Sequence, residues 1–396
     1  MSVTTATPKV SRHVVVGAGL AGAATAFSLA RRGHEVTLLE RTRPAAHDGS
    51  SHGSARIFRY AYPERFYTDL VVRAREGFDE LERLGGRRLI TPAGSLDFGA
   101  ARAPRLLAEV LAAAGVEHEL LDRGAAQRRW PQLSFDTDVL WHPGAGVIDA
   151  ETTVFTLVEQ ARRHGAQVEQ DWAVQRLERT RTGYRVLAAD GRSVDAERVV
   201  LAVGGWLPSL LDELPLPAAF RAQVPALQVR QEQAYHFPYR EQPAGPDERA
   251  PLPTFIHKRA DIQTYSLPGG RDADFRGQKL AEYNGGKVIR SAAEQDGLVD
   301  AANRERIVRY VERFVPGLVP EPYAETTCLF TNTPTEDFVL DGVDGLTLLS
   351  PCSGHGAKFA PLLGELAADV ATGGAGPERF TLAALSGATA AEAVHA

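Results

Sequence analysis

The feature that most restricts this chain is the run Val14-Val15-Val16-Gly17-Ala18-Gly19-Leu20-Ala21-Gly22 near its start. The valines close a short apolar strand pattern over residues 11–16, and residues 23–32 have helical periodicity. Gly33 ends that helix, and residues 35–39 read as a second strand closed by Glu40. Strand, glycine turn, helix and strand in so short a span form one right-handed βαβ unit with parallel strands. Each glycine answers a separate steric demand. Gly17 permits the tight turn, Gly19 lets a pyrophosphate approach the backbone, and Gly22 lets helix and strand pack closely. The helix amino terminus offers unpaired N–H groups and the positive end of a dipole to phosphates. Glu40 stands where a carboxylate accepts the ribose hydroxyls of an adenosine, and Arg41 follows it. A glycine-rich turn without a ligand is the plain alternative. Strand, helix and acid in sequence favour a dinucleotide, with FAD and NAD both open.

With 396 residues the chain has room for two domains. Residues 41–55 lack periodicity and read as loop, followed by helices over 66–84, 104–114 and 152–163. Residues 168–200 contain several short strands with a turn at 189–191, and 198–203 reads as a buried parallel strand. An alternating run over 220–237 announces an antiparallel sheet. Segments 240–253 and 269–277 are polar, Pro- and Gly-rich loops, 300–314 is helical, 326–349 returns to strands, and 356–371 is a final helix. The expected fold is α/β: a discontinuous Rossmann-like domain from 1–85, 145–215 and 325–396, with an antiparallel-sheet substrate domain from 86–144 and 216–324 inserted in it.

A net charge of −6 gives no basic footprint for nucleic acid. No apolar run is long enough to span a bilayer, the longest (199–211) being broken by Gly204, Gly205 and Pro208. Residues 1–10 lack an apolar signal core, so a cytoplasmic protein is expected. Cys328 and Cys352 make no disulfide scaffold in a chain of this size.

Three further motifs carry the chemistry: Ser50-Ser51-His52-Gly53-Ser54-Ala55-Arg56-Ile57-Phe58-Arg59, Cys328-Leu329-Phe330-Thr331, and Ser353-Gly354-His355-Gly356-Ala357-Lys358. In this order they resemble monomeric sarcosine oxidase and its relatives, which include N-methyltryptophan oxidase, pipecolate oxidase and the fructosyl-amino-acid oxidases. The resemblance covers nearly the whole chain and settles the dinucleotide on FAD. It implies a flavin joined to Cys328 through its 8α-methyl group, with a nearby cation lowering the thiol pKa; a buried structural thiol is the alternative. Cys352 reads as a core thiol. The resemblance places Ser51, His52 and Arg56 by the cofactor, with Arg41. Arg59 and Lys358 would hold a substrate carboxylate, one as a planar fork and one as a point charge.

Gly354, His355 and Gly356, opening the final helix, would bring its amino terminus to the negative side of the reduced flavin; a turn histidine bonded to backbone is the plain reading of His355. Lysine is scarce, five residues among 44 basic ones. One of them, Lys279, matches a lysine the family uses in oxygen reduction, although a strand lysine facing solvent fits the same position. Tyr265 matches a tyrosine lining the family's substrate site, or is a packed aromatic. Tyr283 stands where sarcosine-oxidising relatives carry histidine, which speaks against sarcosine itself as substrate.

These readings imply an FAD-dependent oxidase of the C–N bond of an amino acid, a secondary or N-substituted amine, with oxygen as acceptor and hydrogen peroxide as product. No metal, membrane or nucleic-acid partner is expected, and a monomer is. A dehydrogenase passing electrons to a protein is the rival within the class. A flavin-binding electron-transfer subunit without its own substrate is the rival outside it.

Overall fold

Val14 and Val15 are fully buried and Val16 nearly so, as a strand with neighbours on both edges and cores on both faces requires. The structure, a computed structural model, describes residues 9–242 and 252–387. Residues 1–8, to which the expected absence of a signal mostly refers, and most of the expected 240–253 loop lie outside the described residues.

Strand β1 (Lys9–Val16) leads into helix α1 (Leu20–Arg31) and strand β2 (Val36–Leu39). β2 pairs in parallel with β1 and with β3 (Gln167–Glu169). On its other edge β1 pairs in parallel with β4 (Ser193–Leu201), which carries the strand Leu346–Ser350 beyond it. The period of two then sorts the core. Val15, Leu38 and Val200 pack under α1, α2 (Arg65–Gly85), α3 (Ala150–Arg163) and the helix Ala360–Ala371. Val14, Val16, Leu39 and Leu201 pack on the opposite face.

The second sheet is mostly antiparallel. It contains β5 (Gln228–Pro238), β6 (Thr254–Lys258), β7 (Gln263–Pro268), β8 (Gly277–Glu282) and β9 (Ala324–Asn332). β9 runs against β5 from Gln228↔Asn332 to His236↔Ala324, and β8 takes the other edge of β5 with Lys279 opposite His236. Tyr235, Phe237, Phe255 and Leu280 point to helix α4 (Ala301–Phe314), where Ile307, Tyr310 and Phe314 close a core. Asp300 caps α4 by accepting the Ala302 N–H at 2.8 Å. The alternate residues of the same strands face the parallel-sheet side, and that face becomes the site.

Four expectations are adjusted. The alternating run over 220–237 is shorter: Ala218–Arg221 is a helical turn set by Pro217, and the strand begins at Gln228. The strand expected over 198–203 starts earlier and stops at Leu201, before the 3₁₀ turn Gly204–Trp206. The final helix does not open at Gly356: a 3₁₀ turn, Gly356–Phe359, precedes α5 (Ala360–Ala371), because Pro361 lacks the N–H that would close an α-type bond there. β9, which carries Cys328, is hydrogen-bonded into the second sheet, although the expected return to the first domain is at residue 325.

Candidate active site

At the glycine turn the sterics hold as read. Gly17 has φ +98°, and a Cβ on Gly22 would stand 1.9 Å from the Gly17 carbonyl oxygen. The Glu40 carboxylate accepts the Ala18 N–H at 2.7 Å and the Thr42 N–H at 3.1 Å, so it fixes the turn as well as facing the groove. Ser51 Oγ accepts the Leu20 N–H at 3.0 Å, capping the first turn of α1. A cleft of about 380 Å³ runs from Gly17 and Glu40 past Ser51 and Arg56 to Cys328 and Gly356. Its size is that of a ligand pocket, and its length, from a phosphate-binding turn to a cysteine on the second sheet, suits FAD. Arg41 lies over the Trp206 ring on the groove wall and is ion-paired to Asp48.

A smaller cavity of about 100 Å³ joins this groove at Arg56, Cys328, Phe330, Gly354 and Ala357. One wall is the sheet face defined above: Ile256 and Lys258 from β6, Gln263, Tyr265 and Leu267 from β7, Lys279 from β8, and Tyr283 just after it. The register explains the grouping, since Leu267 pairs with Lys279 and Tyr265 with Ala281. Arg59, His355 and Lys358, from outside that sheet, line the rest of the cavity.

Arg56 is fixed by three carbonyls, those of Ala55, Ser50 and His52, each at 2.9 Å. His52 is buried beside it, its Nδ1 2.8 Å from the Gly49 carbonyl, and lines neither cavity. Arg59 is buried, donates to the Ala61 carbonyl and sits 4.5 Å above the Tyr62 ring. Lys358 Nζ donates to the Tyr62 hydroxyl at 2.9 Å and the His355 carbonyl at 2.7 Å. His355 is held between the Tyr62 hydroxyl (3.1 Å) and the Glu336 carbonyl (3.0 Å), stacked on Phe338. It buttresses the wall from which Gly354, with φ +70°, approaches the Phe330 ring. The Tyr283 hydroxyl donates to Glu336 at 2.9 Å.

Burial sets the electrostatics. It brings the Lys279 amine down to about 8, with Arg56 adding to the effect. Burial and Arg59 push Lys358 well below its ordinary value. For Cys328 the expectation of a lowered thiol pKa is corrected: burial raises it, and the opposing pulls of Arg56 and Lys279 do not outweigh that. Cys352 is corrected as well, because it lines the large groove instead of the core, its Sγ accepting the Thr331 N–H at 3.3 Å.

Sequence reading missed Tyr62, which links Arg59 to Lys358, and Lys258. It also missed Glu232, which lies directly across from Cys328 and whose carboxyl burial raises to about 7. For Lys258 a signal existed. In a chain with so few lysines, three of the five (Lys258, Lys279 and Lys358) line one small cavity.

The family model for FAD dependent oxidoreductases matches residues 12–370. The chain belongs to that family. Within it, the chain is 32% identical over 371 residues to the monomeric sarcosine oxidase of Streptomyces avermitilis, covering 91% of this chain and 93% of that enzyme. It is 29% identical to the N-methyl-L-tryptophan oxidase of Escherichia coli, over 90% and 94% of the two chains. Among solved structures, the open form of NikD, an unusual amino acid oxidase essential for nikkomycin biosynthesis, superposes with a TM-score of 0.78 at 25% identity, covering 92% of this chain and 94% of that one. The family thus bears out the resemblance read from the motifs, the fold class, and the activity class of FAD-dependent amine or amino-acid oxidation. Among the described residues no helix is long and apolar enough to cross a membrane.

Proposed function

We propose that this chain oxidises the C–N bond of an N-substituted or secondary amino acid whose free carboxylate is gripped by Arg59 and Lys358, with oxygen as acceptor. The observation that carries this reading is the pairing of these two cations on one wall, tied together through Tyr62, facing a cavity continuous with the cofactor groove. Arg59 stays charged out of water, and burial drives Lys358 toward its neutral form until an anion arrives to hold its proton, so the wall suits a ligand anion.

FAD, held by Gly17, Gly19, Gly22, Glu40, Ser51 and Arg56, supplies a two-electron acceptor when bound. The chain's own residues then orient and exclude. Arg59 and Lys358 fix the carboxylate, which leaves the amine and its α-carbon facing the groove. Tyr265 and Tyr283, both partly buried, shape the remaining walls. No base is required at the carbon, since binding the amine in its neutral form in the right orientation is enough for hydride-like loss. The imine product hydrolyses in water. Lys279, on the sheet wall beside Arg56, provides the positive charge that oxygen reduction needs as negative charge develops. Cys328, common to both cavities, is proposed as the covalent anchor, and the enzyme as a cytoplasmic monomer.

The test compares an N-substituted amino acid with its nearly isosteric α-amide. Loss of two charge-assisted contacts should cost the amide about 3 to 6 kcal/mol in kcat/KM. Arg59→Ala should abolish most of that preference. Equal oxidation of acid and amide would mean that no carboxylate clamp exists.

A further inference from the structure

The substrate cavity holds more basic groups than one carboxylate answers. Arg59, Lys258 and Lys358 all line it. Among the described residues none of the three has a carboxylate within ion-pair distance; their contacts are carbonyls, a hydroxyl and aromatic rings. Two acids act on Lys258 from further away, and both are engaged: Asp97 by Arg102 and His142, Glu336 by the Tyr283 hydroxyl. Burial first, then Arg102 and Arg59, hold the Lys258 amine down to about 7. Arg102 and Arg59 both act on the two lysines, and of these two arginines Arg59 is the one that lines the cavity. The one cavity thus offers two positions for an anion beside Arg59, one at Lys358 and one at Lys258.

The strand register fixes where the second position lies. Lys258 ends β6, opposite Gln263 and two residues along from Ile256 on the same face, and its ammonium sits 5.5 Å from the centroid of the Tyr283 ring. A substrate anchored by its α-carboxylate at Arg59 and Lys358 would extend its side chain toward this corner. An apolar side chain would leave the Lys258 amine without an anion to hold it in its charged form.

We propose that Lys258 is a specificity-determining residue that binds a second anionic group, making the preferred substrate an N-substituted amino acid with an acidic side chain. This rests on the carboxylate clamp assigned above.

The holoenzyme is tested anaerobically for flavin bleaching by N-methylaspartate and N-methylglutamate, each enantiomer separately, against the corresponding side-chain amides. The acid should be preferred in the rate of bleaching per unit concentration by about 10- to 100-fold, the worth of one charge-assisted contact. The ratio should collapse toward one in Lys258→Gln, and Lys258→Arg should restore it. Equal rates for side-chain acid and amide in the unmutated enzyme overturn the proposal, as does bleaching by none of the four compounds. A ratio unchanged in Lys258→Gln also overturns it. The α-acid against α-amide comparison separates the two claims: if that preference survives while the side-chain preference is absent, the clamp stands and only Lys258 is wrong. If the α-preference is absent too, the clamp itself has failed.

Discussion

Cys328 sits at the junction of the two cavities, on a strand hydrogen-bonded along its length to β5. Acid-precipitated protein should therefore stay yellow. Cys328→Ala should release the flavin into the supernatant, and Cys352→Ala should retain it although Cys352 lines the same groove. Yellow protein from Cys328→Ala would move the anchor elsewhere. Because burial raises the Cys328 thiol pKa, its thiolate is scarce before a cofactor arrives, and attachment should quicken as pH rises. Lys279 poses a second question at the same scale. Lys279→Met should slow reoxidation of the reduced enzyme by air far more than its reduction by substrate. A lost desolvated charge at that step costs about 3 to 5 kcal/mol, or roughly two to four decades in rate. Stopped-flow traces that leave reoxidation unchanged would remove Lys279 from the oxygen step. Cys328 was legible beforehand because it stands in a contiguous motif, and Lys279 because lysine is scarce and its position matches a lysine of the family. Lys258 and Tyr62 were not, since each acquires its role only from neighbours far along the chain. Lys258 meets Tyr283 across two strands, and Tyr62 meets Lys358 across a separation of 296 residues.

Elements with a single dominant period were readable from the sequence: the βαβ start, the long helix α2, and α4 with its Asp300 cap. Those shaped by proline or by a distant partner were less so. Pro361 converts the expected start of α5 into a 3₁₀ turn, and β9 joins the second sheet because β5 offers it a full-length edge. Packing between elements also resists reading from composition. Helices α1 and α5 approach so closely that a Cβ on Gly364 would lie 2.4 Å from the Ala24 carbonyl carbon and 2.5 Å from its oxygen. On propensity alone Gly364→Ala would stabilise a helix by about 1 kcal/mol. The obstacle here is backbone, which cannot swing aside, and overpacking of this kind costs about 1 to 3 kcal/mol. The clash should win, so Gly364→Ala should unfold at a lower temperature than the unmutated protein. An unchanged or higher Tm would mean the two helices separate easily.

At the scale of the whole molecule, four of the described histidines respond to acid together. Burial brings His13, His52, His236 and His257 down to about 4 from an ordinary 6.5. Between those values the unfolded chain binds protons that the folded one refuses, so stability falls as pH drops from 6.5 toward 4. Glu232, raised to about 7, works the opposite way by favouring the folded state as pH falls from 7 toward its ordinary 4.5, but it is one group against four. Tm should therefore decline steadily below pH 6.5, and a flat profile between pH 6.5 and 4.5 would refute the balance. The placing of β1 has a consequence of another kind. Its second edge is covered by β4, and the groove it helps to form is closed by Cys328, Gly354 and Gly356. During synthesis the three valines leave the ribosome long before any of these residues exists. The nascent chain thus carries an apolar strand with one edge open until residues 193–201 emerge, a natural client for a chaperone, and cofactor capture waits until Cys328, Gly354 and Gly356 have been made.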